Sequence, residues 1–176
     1  MTNNDLVAII VEGQTERAIM TLLLKRHALK FGEDDLLNNE IITVRKGSNF
    51  AKRYLNKAFG SRKIKVIRIL DSKKEKFRLP SAYRKKVSEV VDLHTRPEIE
   101  ILDIIYHGDY QKYTKKFKSN TKPNEYVKQH YSDLKQVKSY KDNYDFWDQH
   151  FDDLINALKQ YKKYHQKENC IADILK

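Results

Sequence analysis

A single cysteine, Cys170, stands in the whole chain, so an internal disulfide framework is excluded and a reducing, cytoplasmic setting is expected. Three prolines and five glycines leave little material for linkers or low-complexity tracts. No apolar run approaches the roughly 20 residues that span a bilayer. The opening MTNNDL lacks a basic region followed by an apolar one, so neither a membrane partner nor a signal peptide is expected. Also missing are a glycine-rich Lys-Ser/Thr loop for ATP and any Cys/His spacing suited to zinc.

Positive charge, by contrast, is plentiful. Thirty-five Lys and Arg against 24 Asp and Glu give a formal net charge of +11. Such a field attracts polyanions, nucleic acid foremost. An AT-rich genome, with its surplus of Lys, Asn, Tyr and Ile codons, gives the same excess without any ligand. The 176 residues, 40% of them hydrophobic, suffice for one domain with a real core, or for one domain carrying a helical extension.

Along the chain, LVAIIV (Leu6 to Val11) is a continuous apolar run, the pattern of a strand covered on both faces. Ala18, Ile19, Leu22 and Leu23 recur at helical spacing and predict a helix from Thr15 to Lys30, stopped by Gly32. EIITVR (Glu40 to Arg45) is strand-like, and a second helix is predicted from Ser48 to Phe59. KIKVIRIL (Lys63 to Leu70) alternates as a strand does and ends on Asp71. This alternation is the grammar of a mostly parallel α/β sheet flanked by helices. A loop from Ser72 to Tyr83 and a strand from Glu89 to Leu93 follow. Thr95 and Glu98 then have capping-box spacing, with Pro97 tolerated in the first turn of a helix running to Tyr106.

From Tyr110 to Lys141 lysines such as Lys112, Lys115 and Lys116 interleave with tyrosines. Phosphate contacts by lysine and base stacking by tyrosine fit this tract. A solvated helical surface with its tyrosines tucked beneath fits it equally. Trp147, Phe151, Leu154, Ile155, Leu158 and Tyr161 trace one face of a final helix. Residues 1–108 therefore read as an α/β domain and 109–176 as a basic helical extension packed on it.

In a parallel sheet the functional crevice lies beyond the carboxyl ends of the strands. Glu12, Asp71 and Glu100 fall at or just after such ends, where a buried anion needs a partner or a metal. Converging carboxylates that share Mg²⁺ meet that need. A bend at Gly13 would present Glu12 at the sheet rim. Glu16 is a further candidate ligand, or simply a complement to its helix N-terminus. Lys46, Lys73, His94 and Arg96 lie near the proposed crevice mouth and are candidates for phosphate contact.

The segment IIVEGQTE, with the later strand ending in Asp71 and the run RPEIEILDII, resembles the Toprim family over roughly residues 5 to 107. That family includes type IA topoisomerases, bacterial primases and OLD-type nucleases, and the chain looks most like its RloB and abortive-infection branch. The resemblance implies a Toprim-like (Rossmann-like) sheet and a Mg²⁺- or Mn²⁺-dependent nuclease acting on DNA or RNA. It implies Glu12, Asp71 and Glu100 as catalytic residues and Glu12, Glu16, Asp71 and Glu100 as metal ligands. A phage-defence setting, an ATPase partner protein and self-association are compatible with it. The chain departs from the family's Asp-x-Asp motif, because Lys73 stands where the second aspartate belongs. That departure favours a rival expectation, a non-catalytic module that binds nucleic acid or an ATPase partner. No tyrosine stands out as a topoisomerase nucleophile, so hydrolysis is expected over strand rejoining.

Overall fold

The computed structural model describes residues 5–72, 74–134 and 136–176. It is an α/β protein built on a three-stranded parallel sheet, in the order β1 (Leu6–Ile10), β2 (Ile64–Leu70), β3 (Val87–His94). Both faces of β1 and β2 are covered, and their side chains divide with the two-residue period of a strand. Val7, Ile9, Ile67 and Ile69 join one apolar cluster, whereas Ala8, Ile10, Ile64 and Val66 join the other.

The larger cluster is closed by α1 (Gln14–Lys25), α3 (Ile101–Tyr106), α4 (Tyr110–Lys116), α5 (Pro123–His130), α6 (Tyr140–Gln149) and α7 (Phe151–Tyr164). Helix α1 packs on α6 and α3 on α7. The helices after Gly108 therefore share one core with β1 and α1. The smaller cluster is closed by α2 (Gly47–Tyr54) and by the segment from Ser72 to Lys86, whose Phe77, Leu79 and Tyr83 pack against it. Among the described residues no helix is long and apolar enough to cross a membrane.

Several elements differ from those expected. Helix α1 stops at Lys25, because His27 takes a left-handed φ of 52° and the chain closes a Schellman end. There His27 N–H donates to Leu24 and Ala28 N–H to Leu23. The strand expected from Glu40 to Arg45 is reduced to a point contact, with Ile42 exchanging hydrogen bonds with Ile9 and Val11 beside β1. Asn38 and Asn39, both at positive φ, turn the chain before a ladder can extend. Helix α2 ends at Tyr54 rather than Phe59. The predicted capping box at Thr95 does not form, since the Glu98 carboxylate accepts instead from the backbone and side-chain nitrogens of Asn124 at 3.2 and 3.0 Å. Helix α3 accordingly begins only at Ile101, after a cis Arg96–Pro97 bond. The single final helix is two, broken at His150.

The segment joining β2 to β3 is held as a strap across the sheet. Arg68, on β2, is 2% exposed yet cationic. It makes a two-pronged bond to Asp92 of β3 at 2.7 and 2.7 Å and also donates to the Glu75 carbonyl at 3.2 Å. Its guanidinium lies 5.0 Å from the centre of the Phe77 ring. At the far side, a Cβ on Gly47 would lie 2.5 Å from the Arg78 carbonyl oxygen, so the strap backbone runs directly against the start of α2.

Gly47→Ala should therefore lower the unfolding free energy by about 1–3 kcal/mol despite the better helix propensity of alanine. At Gly32 the added Cβ would meet nothing nearer than Asp35 Oδ2 at 4.0 Å. Gly32→Ala should thus change stability by less than about 1 kcal/mol. Urea denaturation of the two variants checks both values.

Candidate active site

Because β1 and β2 are parallel and in register, the chain leaves both strands at the same edge of the sheet. Glu12 and Asp71 meet there, and the Asp71 backbone N–H lies 3.4 Å from Glu12 Oε2. Helix α1 brings Thr15 and Glu16 to the same place, and the turn before α3 brings Glu98 and Glu100. Together these residues line a cleft of about 190 Å³, with Arg45 and Lys138 as its cations. The Thr15 hydroxyl lies 3.3 Å from both Glu100 Oε1 and the Val137 carbonyl, and so ties the carboxylate to the chain that roofs the cleft.

The chain bends at Glu12 and Gly13 as expected, but Gly13 itself, with φ −129° and ψ −179°, is extended, so the bend does not call on glycine's left-handed freedom. What it supplies is space. A Cβ there would lie 2.7 Å from Glu16 Oε2, so glycine admits the carboxylate that folds back over the start of α1.

Charge in the cleft is only partly compensated. Arg45 Nη2 forms an ion pair with Glu12 Oε1 at 2.6 Å and a hydrogen bond with Glu75 Oε2 at 2.9 Å. Burial, then hydrogen bonds to the carboxyls of Glu75 and Asp71, push Glu12 up to about 8 against the pull of Arg45. Glu75 is held below the usual carboxylate range, by Arg45 first and Glu12 next. The pair thus keeps one proton, and Glu12 is its main holder. Burial pushes Glu100 up to about 7, helped by Glu98 and Glu16, and raises Glu16 as well. Beneath Glu100, Asp103 is 2% exposed, one of its carboxylate oxygens has no hydrogen-bond partner, and burial raises its pKa well above the ordinary value.

Of the other residues singled out in the sequence, Arg96 lines a neighbouring cleft that shares Asp71. His94 lies in a different groove, along the outer edge of β3 beside Asn169. Lys46 is exposed at the start of α2, and Lys115 and Lys116 are exposed in the last turn of α4. Lys112 is also exposed, 3.6 Å from Asp109. Lys73 lies outside the described residues. Two of the tract's tyrosines, Tyr113 and Tyr126, are buried in the core, Tyr110, Tyr131 and Tyr140 are half-buried, and Tyr126 and Tyr131 both donate to Asp109 Oδ2. Sequence reasoning missed Arg45, Thr15 and Lys138. Arg45 was hidden in an apparent strand, whereas Thr15 is part of the quoted IIVEGQTE and was in plain view.

Among the described residues, no three His, Cys, Asp or Glu side chains are grouped as a ready metal-binding set. Comparisons with family models, with curated proteins and with solved structures return no match for this chain.

The raised carboxyls make a signed prediction. Over the window from about 4.5, the ordinary value for Glu, up to about 7 for Glu100, the folded chain holds a proton that the unfolded chain has lost. Glu100 therefore stabilises the fold at low pH, and that contribution is lost as pH rises through about 7. Glu100→Gln should raise the unfolding free energy by roughly 3 kcal/mol at pH 8 and change it little below about pH 4.5, as the separation between the ordinary value and about 7 implies. Urea titrations of both proteins across this range, in EDTA, provide the measurement.

Proposed function

We propose that the chain is a divalent-metal-dependent phosphodiesterase of the Toprim type that cuts nucleic acid. The observation that carries this reading is the meeting of Glu12, Asp71 and Glu100, which come from three separate points along the sheet edge, in one cleft. By the resemblance, its setting is cytoplasmic phage defence beside an ATPase partner.

The cleft's donors suit Mg²⁺ or Mn²⁺ in kind, although no three of them are grouped as a ready set. The cleft offers hard carboxylate oxygens, and burial and mutual repulsion hold Glu12, Glu16 and Glu100 protonated beyond their usual range. Glu12, Glu16, Asp71 and Glu100 would hold the ion. When bound, it supplies a more acidic water and neutralises charge on the phosphodiester. The chain's own residues do the rest. Glu12, with its proton shared toward Glu75, is placed to give a proton at Oε to a leaving oxygen or to take one. Thr15 fixes the Glu100 carboxylate, and Lys138 adds positive charge at the cleft wall.

One observation favours the second reading, a nucleic-acid-binding module without catalysis: Arg45 already occupies Glu12. The two readings part on Arg45→Met. In the enzyme, this change frees Glu12 and tightens Mn²⁺ binding measured by calorimetry; in the binding module, neither protein takes up Mn²⁺. Plasmid, single-stranded DNA and total tRNA incubated with Mg²⁺ or Mn²⁺ test the activity itself. Glu12→Gln and Asp71→Asn should each reduce cleavage by at least about 100-fold, the scale of a lost acid–base group. A protein that binds these substrates yet cuts none of them would overturn the enzyme.

A further inference from the structure

Asp71 is a wall between two clefts. On its far side lies a second one, of about 310 Å³, whose other charged or titratable side chains are Lys74, Arg96, Lys118 and His165. The sign of the charge reverses across one aspartate. These four residues come from four places: the strap, the turn after β3, the chain just past α4, and the end of α7.

The second cleft is prepared for an anion. Arg96 Nε and Nη2 both point to the carboxylate of Glu168, with the Nε contact at 3.4 Å, and the Arg96 backbone N–H donates to the Tyr161 phenol at 2.8 Å. Two of the five guanidinium N–H donors are thereby used to fix the fork, and three remain. His165 Nδ1 lies 3.0 Å from the Tyr161 carbonyl, which orients the ring and leaves Nε2 without a hydrogen-bond partner among the described residues. Lys74 and Lys118 are exposed and make no ion pair with any described residue. Beside His165, Tyr164 is 42% exposed. Its ring stacks on Tyr110 at 4.0 Å and 7°, and Tyr110 stands edge-on to His165 at 6.3 Å.

A cation-lined cleft with an exposed aromatic face one ring away matches the phosphate and the base of an unpaired nucleotide. In a duplex the bases stay stacked inside, and Tyr164 would have nothing to cover. We infer that this cleft is a subsite for single-stranded nucleic acid, with a phosphate held by Lys74, Arg96, Lys118 and His165 and a base stacked on Tyr164. It would hold the nucleotide adjoining the one whose phosphate enters the acidic cleft, and in that respect the inference rests on the nuclease reading. Asp71 then serves both sides, repelling the bound phosphate from the acidic cleft and so fixing where along the strand the cut falls.

The test is made in EDTA, where cleavage cannot occur. Fluorescence anisotropy follows a labelled short oligonucleotide as single-stranded DNA, as single-stranded RNA of the same sequence, and as duplex DNA. The single strands should bind about tenfold more tightly than the duplex. Tyr164→Ala and Lys118→Glu should each weaken single-strand binding by about tenfold while leaving the duplex unaffected. Both residues are exposed, and thermal melts matching wild type confirm that the variants are folded. Comparing DNA with RNA identifies the sugar. Variants that bind single strands like wild type, or a duplex bound as tightly as a single strand, would overturn the subsite. The two readings fail separately. Wild type that shows this binding but cuts nothing removes the nuclease and keeps the subsite. Cleavage of single strands at an undiminished kcat/KM in both variants removes the subsite and keeps the nuclease.

Discussion

A parallel sheet covered on both faces can place charge only where its strands end, and carboxylates buried there must be balanced by something. Everything distinctive about this protein follows from how that balance is struck at the edge shared by β1 and β2. Glu12, Glu16, Asp71, Glu98 and Glu100 face two cations, Arg45 and Lys138. Burial first, and the neighbouring carboxyls after it, keep Glu12 and Glu100 protonated into the neutral range. A carboxyl kept neutral by burial is a weak solution at the pH of a cell. It is also a poised one, since any arriving cation can replace the proton.

The balance is built into the fold through the strap. Glu75 accepts from Arg68 with its carbonyl and from Arg45 with its carboxylate, so one residue joins the sheet interior to the cleft. Arg68 could not be buried alone, because an unpaired cation at 2% exposure would cost several kcal/mol. Asp92, its partner in the β2–β3 register, and the Phe77 ring complete its coordination. The strap is therefore seated by the same polar contacts that place Glu75 against Glu12. Displacing Arg45 from Glu12 would loosen one of these anchors while leaving Arg68 to hold the other.

The sequence exposed the strands and the acids at their ends more readily than it exposed the cations. Continuous or alternating apolar runs at Leu6 to Val11 and Lys63 to Leu70 have one economical reading, so β1, β2 and the positions of Glu12 and Asp71 were legible. Glu100 was legible because it falls just after the strand expected from Glu89 to Leu93, in the run RPEIEILDII. Arg45 was not: EIITVR looks like a strand, yet it meets β1 only at Ile42, just after the left-handed Asn38 and Asn39 turn the chain. Glu98 followed the local rule of the capping box until Asn124, 26 residues on, offered a better pair of donors. His27 ended a helix in the role usually given to glycine, and no local pattern announces that choice. The lysine and tyrosine tract was ambiguous by nature, for an exposed and a buried tyrosine share the same letter.

Two clefts of opposite charge on either side of Asp71 pose complementary problems. The acidic one has carboxylates in excess and needs a cation; the basic one has donors in excess and needs an anion. A lone divalent ion would answer the first and a lone phosphate the second. On the proposed nuclease reading, a phosphodiester strand arriving with its metal would answer both, because the ion would bring the missing positive charge and the next phosphate along the strand the negative. Reading the acidic cleft by itself leaves Arg45 as an obstacle to metal. In the proposed nuclease Arg45 would instead be the charge that holds Glu12 until the strand and its cation supply their own.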